Sequence, residues 1–184
     1  MKTLFTVIFA LLTISPTFAG SHDPAIIIPL MRSASISLLD AIALAEKVSG
    51  PATSAKFEVS DSGKLELSVY TIPEGLGVEP EKATLTELGG NASQRPFRFA
   101  AEVFRDKEHI ARASVHMTLF QLSRHSLRQV IERALARQPG TPIDVRNPMV
   151  KDRRAVADVV VVDSYGEART VTVDIVTGQT RLRD

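Results

Sequence analysis

The 184-residue sequence predicts an α+β fold of two similar units, each a helix packed on an antiparallel β-sheet meander. Three observations carry that expectation. Two capped amphipathic stretches, "SLLDAIALAEKVSGP" and "SLRQVIERALARQPG", begin at Ser37 and Ser126, 89 residues apart. Each is followed by runs with the two-residue alternation of strands, and the runs are divided by glycine-containing turns.

In the first stretch Ser37 is the N-cap and Asp40 lies in the first turn. Leu38, Ala41, Ile42, Ala45 and Val48 recur at helical spacing up to the Gly50-Pro51 stop. In the second, Ser126 and Gln129 form an S-x-x-Q capping box. Leu127, Val130, Ile131, Ala134 and Leu135 make the apolar stripe, and Pro139-Gly140 ends it.

After the first helix come "SAKFEVS", an Asp61-Ser62-Gly63 turn and "KLELSVYTI", in which Leu65, Leu67, Val69 and Thr71 alternate with Lys64, Glu66, Ser68 and Tyr70. After the second come "IDVRN", "AVADVVVVDS", a turn through Ser164-Tyr165-Gly166, "ARTVTVDIV", the Thr177-Gly178 turn and "QTRLRD". The middle is less regular. "PEGLGVEPEKATLTELGGNASQRP" is rich in Gly and Pro, which predicts a short helix over 80–88, a Gly89-Gly90 stop and a third strand that is replaced or displaced. Asp106 then caps a helix over about 106–122, with Ile110, Ala113, Met117 and Phe120 or Gln121 on one face. The expected organisation is a first unit over 20–95 with an irregular insertion, a linking segment with a helix over 96–124, and a second unit over 125–184.

Residues 1–19 read as a secretory signal: one cation at Lys2, an apolar run from Leu4 to Leu12, Pro16, and small residues Thr17 and Ala19 before the cut. The run is too short for a stable membrane anchor. A periplasmic or secreted, soluble mature chain is expected. No cysteine is present, which excludes thiol nucleophiles, thiolate metal sites and disulfides. Charge is split along the mature chain. Residues 20–90 carry 5 basic and 10 acidic groups, whereas residues 91–184 carry 16 and 11, a dipole able to steer a charged partner.

The helix over 126–139, the hairpin over 155–166 and the closing "VTVDIVTGQTRL", with its VD-x-x-TG ending, resemble the PepSY domain family. In the first copy only the helix and the 61–72 region match, and the family's closing Thr-Gly strand is missing. The resemblance covers most of 126–184, part of 36–72 and none of the middle. It implies a non-enzymatic module that restrains a protease or senses conditions outside the cytoplasm, with no catalytic residues or cofactors to carry over. An exported protein partner, such as a peptidase, is the expected ligand, bound through a sheet edge or the 73–95 segment; the alternative is a small-molecule or ion-responsive sensor using a cleft between the copies.

Chemistry-bearing motifs are sparse. His109 and His116 share a helix face about 10 Å apart by rise, and His125 is half a turn off, so no single ion takes all three. No H-x-x-x-H, G-x-S-x-G or phosphate-loop pattern occurs. The acid pairs Glu79 with Glu81 and Asp152 with Asp158 lie in charge-mixed stretches read as solvated, as does the basic set Arg146, Lys151, Arg153 and Arg154. His109, Arg112 and His116, at spacings of 3 and 4, form a partly exposed polar stripe that is the candidate recognition surface.

Overall fold

The computed structural model describes residues 22–79, 82–104, 106–146 and 148–183, so the expected signal lies outside the described residues. The chain runs α1 (Pro24–Leu30), α2 (Leu38–Val48), β1 (Ala52–Val59), β2 (Leu65–Thr71), β3 (Leu85–Asn91), β4 (Ala100–Phe104), α3 (Lys107–Leu122), α4 (Leu127–Arg137), β5 (Thr141–Val145), β6 (Met149–Lys151), β7 (Arg154–Val162), β8 (Ala168–Asp174) and β9 (Thr180–Leu182). The strands form one antiparallel sheet in the order β4-β3-β2-β1-β5-β7-β8-β9, with β6 paired to β7. The fold is α+β, as the sequence predicts.

The sheet reads alike from its centre to each edge. A helix precedes the seam strand on both sides, α2 before β1 and α4 before β5, and the seam is the antiparallel pairing of Ala55 with Val145 and Lys56 with Asp144. Both helices start at a serine whose side chain accepts from the third residue's amide, Asp40 for Ser37 and Gln129 for Ser126, and the second is a full capping box. Gly50 follows α2 by two residues and Gly140 follows α4 by three. A Cβ on Gly50 would stand 2.7 Å from Ile72 O, and one on Gly140 would run into Val162 O, so each glycine lets the chain pass the end of its neighbouring strand.

Leu38, Ala41, Ile42 and Ala45 of α2 and Leu127, Val130, Ile131 and Ala134 of α4 are buried against the same face of the sheet. They meet Phe57, Leu67, Val69, Val145, Val159, Val171 and Val173 in one continuous core. α2 packs on β1 and β2, and α4 on β5, β7, β8 and β9. The two halves therefore share a sheet and a core.

Three expectations need correction. The helix over 80–88 is absent at 85–88, which form the start of β3, registered on β2 through Thr71 with Thr86 and Val69 with Leu88. Leu85, Thr86 and Leu88 bury well in a pleat, and that packing outweighs local helix propensity. Gly89-Gly90 lies inside the strand rather than stopping a helix. A Cβ on Gly90 would meet the Phe97 ring at 3.2 Å and the Arg98 carbonyl closer still, so the glycine serves a close crossing of the chain. The first half consequently has a third strand, and the 96–124 segment adds a fourth, β4, before its helix.

α3 fits the predicted span. Asp106 caps it by accepting from His109 N at 3.0 Å, and at its far end the Ser123 hydroxyl donates to Ile175 O at 2.8 Å. It thus runs along the strand ends from β4 to the end of β8. Met117 packs there on Ile72 and Ala83.

Candidate functional site

The sheet's second face is built by the residues that alternate with the core. Register places Ser54, Lys56 and Glu58 of β1, Glu66, Ser68 and Tyr70 of β2, Leu85 and Glu87 of β3 and Glu102 of β4 together on the first half of that face. Asp144 of β5, Met149 and Lys151 of β6, Arg154, Val156 and Asp158 of β7, Thr172 and Asp174 of β8 and Arg181 of β9 share the face on the second half. The first half of this face is therefore acidic, with four glutamates against Lys56, and the second half is balanced, with its cations Lys151, Arg154 and Arg181 gathered at the β6–β7 hairpin and β9.

Two concavities lie on this face. The central one, about 380 Å³, sits at the β1–β5 seam and is lined by His22, Ser54, Lys56, Tyr70, Arg112, Asp144, Arg146 and Met149, among others. Lys56 Nζ is 2.8 Å from Glu58 Oε2, and Ser68 donates to Glu58 Oε1 at 2.9 Å, so the acid beside the cleft is held from two sides. Burial, then the Glu87 carboxylate bonded to it, pushes the Tyr70 phenol far above its usual range; Tyr70 is a neutral hydroxyl at any physiological pH. Burial also raises the Asp144 carboxyl, against the pull of Arg146, whose Nε is 3.1 Å from its Oδ2.

The second concavity, about 610 Å³, lies between the β6–β7 hairpin and β8–β9 and is lined by Lys151, Asp152, Arg154, Thr172, Asp174, Gln179, Arg181 and Arg183, among others. Beneath it Asp158, 3 % exposed in its side chain, accepts from Thr172 Oγ1 at 2.6 Å and from Arg183 Nη1 at 2.7 Å. Asp158, expected in a solvated stretch, is instead buried on the second face, where Thr172 and Arg183 cover and satisfy it. Asp174 Oδ1 accepts from Val176 N at 3.0 Å and Thr177 N at 2.8 Å. Burial alone would raise its carboxyl, but those amides, the Thr177 hydroxyl and Arg154 hold it below its usual range.

The predicted stripe on α3 does not stay together as an exposed surface. His109 stacks on Phe104, with ring centroids 4.2 Å apart, and its Nδ1 is 2.6 Å from Asp106 Oδ2. Arg112 is the exposed member. It meets Glu108 at 3.4 Å, one turn earlier as expected, and faces the central cleft. His116 is buried, at 6 % exposure, and its Nδ1 has no hydrogen-bond partner among the described residues. Burial, then the nearby Arg112 charge, lowers its pKa from 6.5 to about 4. The expectation of a surface histidine there fails because α3 turns this position inward beside Met117 and Ala113.

Of the basic set, Lys151 and Arg154 line the larger concavity and Arg146 the central one; Arg153 lines neither. Lys56, Tyr70, Asp144, Arg181 and Arg183 were not singled out from the sequence. Their signal is the polar half of each strand's alternation, which marks a face but not which strands adjoin. Among the described residues no three His, Asp or Glu side chains are placed to hold a metal ion. Nor is any single helix among them long and apolar enough to cross a membrane.

No protein-family model matches the chain, and no curated protein matches it. Among solved structures it is similar to a candidate lipoprotein from Clostridium difficile 630, at 14% identity and a TM-score of 0.41, over 82% of this chain and 93% of that one.

Proposed function

We propose that the chain is an exported, non-enzymatic binding module of PepSY type, assembled from two related copies and regulating an extracytoplasmic protein such as a peptidase. The observation that carries this reading is the grooved second face. α2 and α4 cover one side of the sheet, while the other presents two adjoining concavities with Lys56, Tyr70, Arg112, Asp144 and Arg154 along them. A concave surface with few convergent polar groups is the usual form of a recognition site. The matched strand order, the paired N-cap serines and the glycines at 50 and 140 favour the two-copy reading. A photo-crosslinking residue at Met149, on the groove, should trap a partner in living cells, and one at Leu44, on the outer side of α2, should not. Equal trapping at both positions refutes the reading, as does an intact 1–19 segment on protein found in the cytoplasm.

The central cleft supports a second reading, a small-molecule-responsive sensor. It lies at the seam of the two halves, and a ligand there would touch β1, β5 and α3 at once.

A further inference from the structure

We infer that the basic concavity between the β6–β7 hairpin and β8–β9 is a binding site for a small polyanion carrying phosphate or carboxylate groups. Lys151 and Arg154 are direct cross-strand partners on the face that forms the concavity. Like charges opposed in this way weaken a strand pair. The link between them is a two-residue turn, Asp152-Arg153, with φ of 50° and 64°. Turns of this kind favour Asn-Gly, and this tight link fixes the two cations opposite each other across the hairpin.

The acids of the wall offset that repulsion only in part: Asp174 feels the Arg154 charge without pairing to it, and Asp152 lies in the turn beside Lys151. Asp158 is engaged by Thr172 and Arg183, and Asp174 Oδ1 is bonded to the turn amides at 176 and 177. Among the described residues no acid lies within ion-pair distance of Lys151, Arg154 or Arg181. Arg181 stands across from Thr172 on the opposite wall. Arg183 is itself positioned by the buried Asp158. The planar guanidinium fork matches phosphate and carboxylate oxygens two at a time. At about 610 Å³ the space exceeds what one inorganic anion fills and suits a small organic or condensed polyanion. The inference does not rest on the partner proposed above, and either can fail alone.

Isothermal titration of the purified protein with pyrophosphate and with citrate tests it, with inorganic phosphate and acetate as singly substituted controls. One polyanion should bind at least tenfold tighter than its control, pyrophosphate marking a phosphoryl ligand and citrate a carboxylate one. Binding should weaken as salt rises. Lys151→Gln, Arg154→Gln and Arg181→Gln should each weaken it about tenfold, while Lys151→Gln raises the melting temperature of the unliganded protein by about 1–3 °C through loss of repulsion. The inference is overturned if neither polyanion binds, if the variants bind as the parent does, or if Lys151→Gln melts lower. A salt-sensitive dimer dissolved by the same substitutions would also overturn it, by assigning the basic surface to a second copy.

Discussion

Arg183 Nη1 reaches Asp158 Oδ2 at 2.7 Å, joining a half-exposed guanidinium near the end of the chain to a carboxylate with 3 % exposure in the middle of β7. The contact ties β9 across β8 to the second half of the sheet. Among the described residues, Arg183→Ala leaves the buried carboxylate with Thr172 as its remaining side-chain partner. A loss of about 1–3 kcal/mol in urea unfolding is expected. A change below about 0.5 kcal/mol would show that solvent replaces the arginine at no cost.

His116 makes the fold acid-sensitive. Its pKa is about 4 in the folded chain and near 6.5 when unfolded, so folding favours the neutral ring. The stability it leaves intact is complete above pH 6.5 and is lost as pH falls toward 4, by about 2–3 kcal/mol in that window. His116→Leu, which also removes the unpartnered Nδ1, should flatten stability between pH 6.5 and 4 and cost little at pH 7. An unchanged pH profile in the variant would assign the slope to other groups.

Gly50→Ala and Gly140→Ala should each destabilise by about 1–3 kcal/mol, because backbone carbonyls of Ile72 and Val162 occupy the space a Cβ needs. Gly63→Ala, in an open turn at φ 74°, meets no neighbour and should cost only its backbone strain. Thermal melts of the three variants separate the two effects. The ordering fails if Gly63→Ala costs the most.

Ser37→Ala and Ser126→Ala should each cost about 1 kcal/mol through the lost N-cap. The Ser37 change should be the larger, since its hydroxyl also donates to Asp40 Oδ2 at 2.7 Å, whereas the bond from Ser126 N to Gln129 Oε1 survives the loss of the Ser126 hydroxyl. Chemical denaturation reads both, and a reversed order would mean that α4 depends more on its cap than α2 does.

These helices were legible because caps and 3.6-residue stripes are local signals. So were β1, β2 and β8, whose apolar residues alternate, and β7, whose run of valines over 159–162 suits a strand buried on both faces. β3 was not, because Gly89-Gly90 reads as a stop until the crossing chain at 97–98 is in place. β4 was hidden by its exposure on both faces, which leaves "AAEVF" without alternation. The groove was legible only as polar halves of separate strands. Its assembly depends on the β1–β5 seam, a pairing between segments some ninety residues apart that no local pattern announces. The stripe at His109, Arg112 and His116 misled for a related reason: spacing gives the helix face, but the strand ends beneath α3 decide which of those residues is covered.

Affinity capture from an extracytoplasmic extract, with parent and charge-reversed baits compared by quantitative mass spectrometry, tests the central claim most directly. The groove variant is Lys56→Glu with Arg112→Glu, both lining the central cleft. The control is Arg128→Glu with Arg137→Glu, exposed on the solvent side of α4. Circular dichroism first establishes that both variants are folded. The account predicts a protein enriched by the parent and by the α4 control and lost from the groove variant. A partner retained by the groove variant and lost from the α4 control would place recognition on the helical face and contradict it.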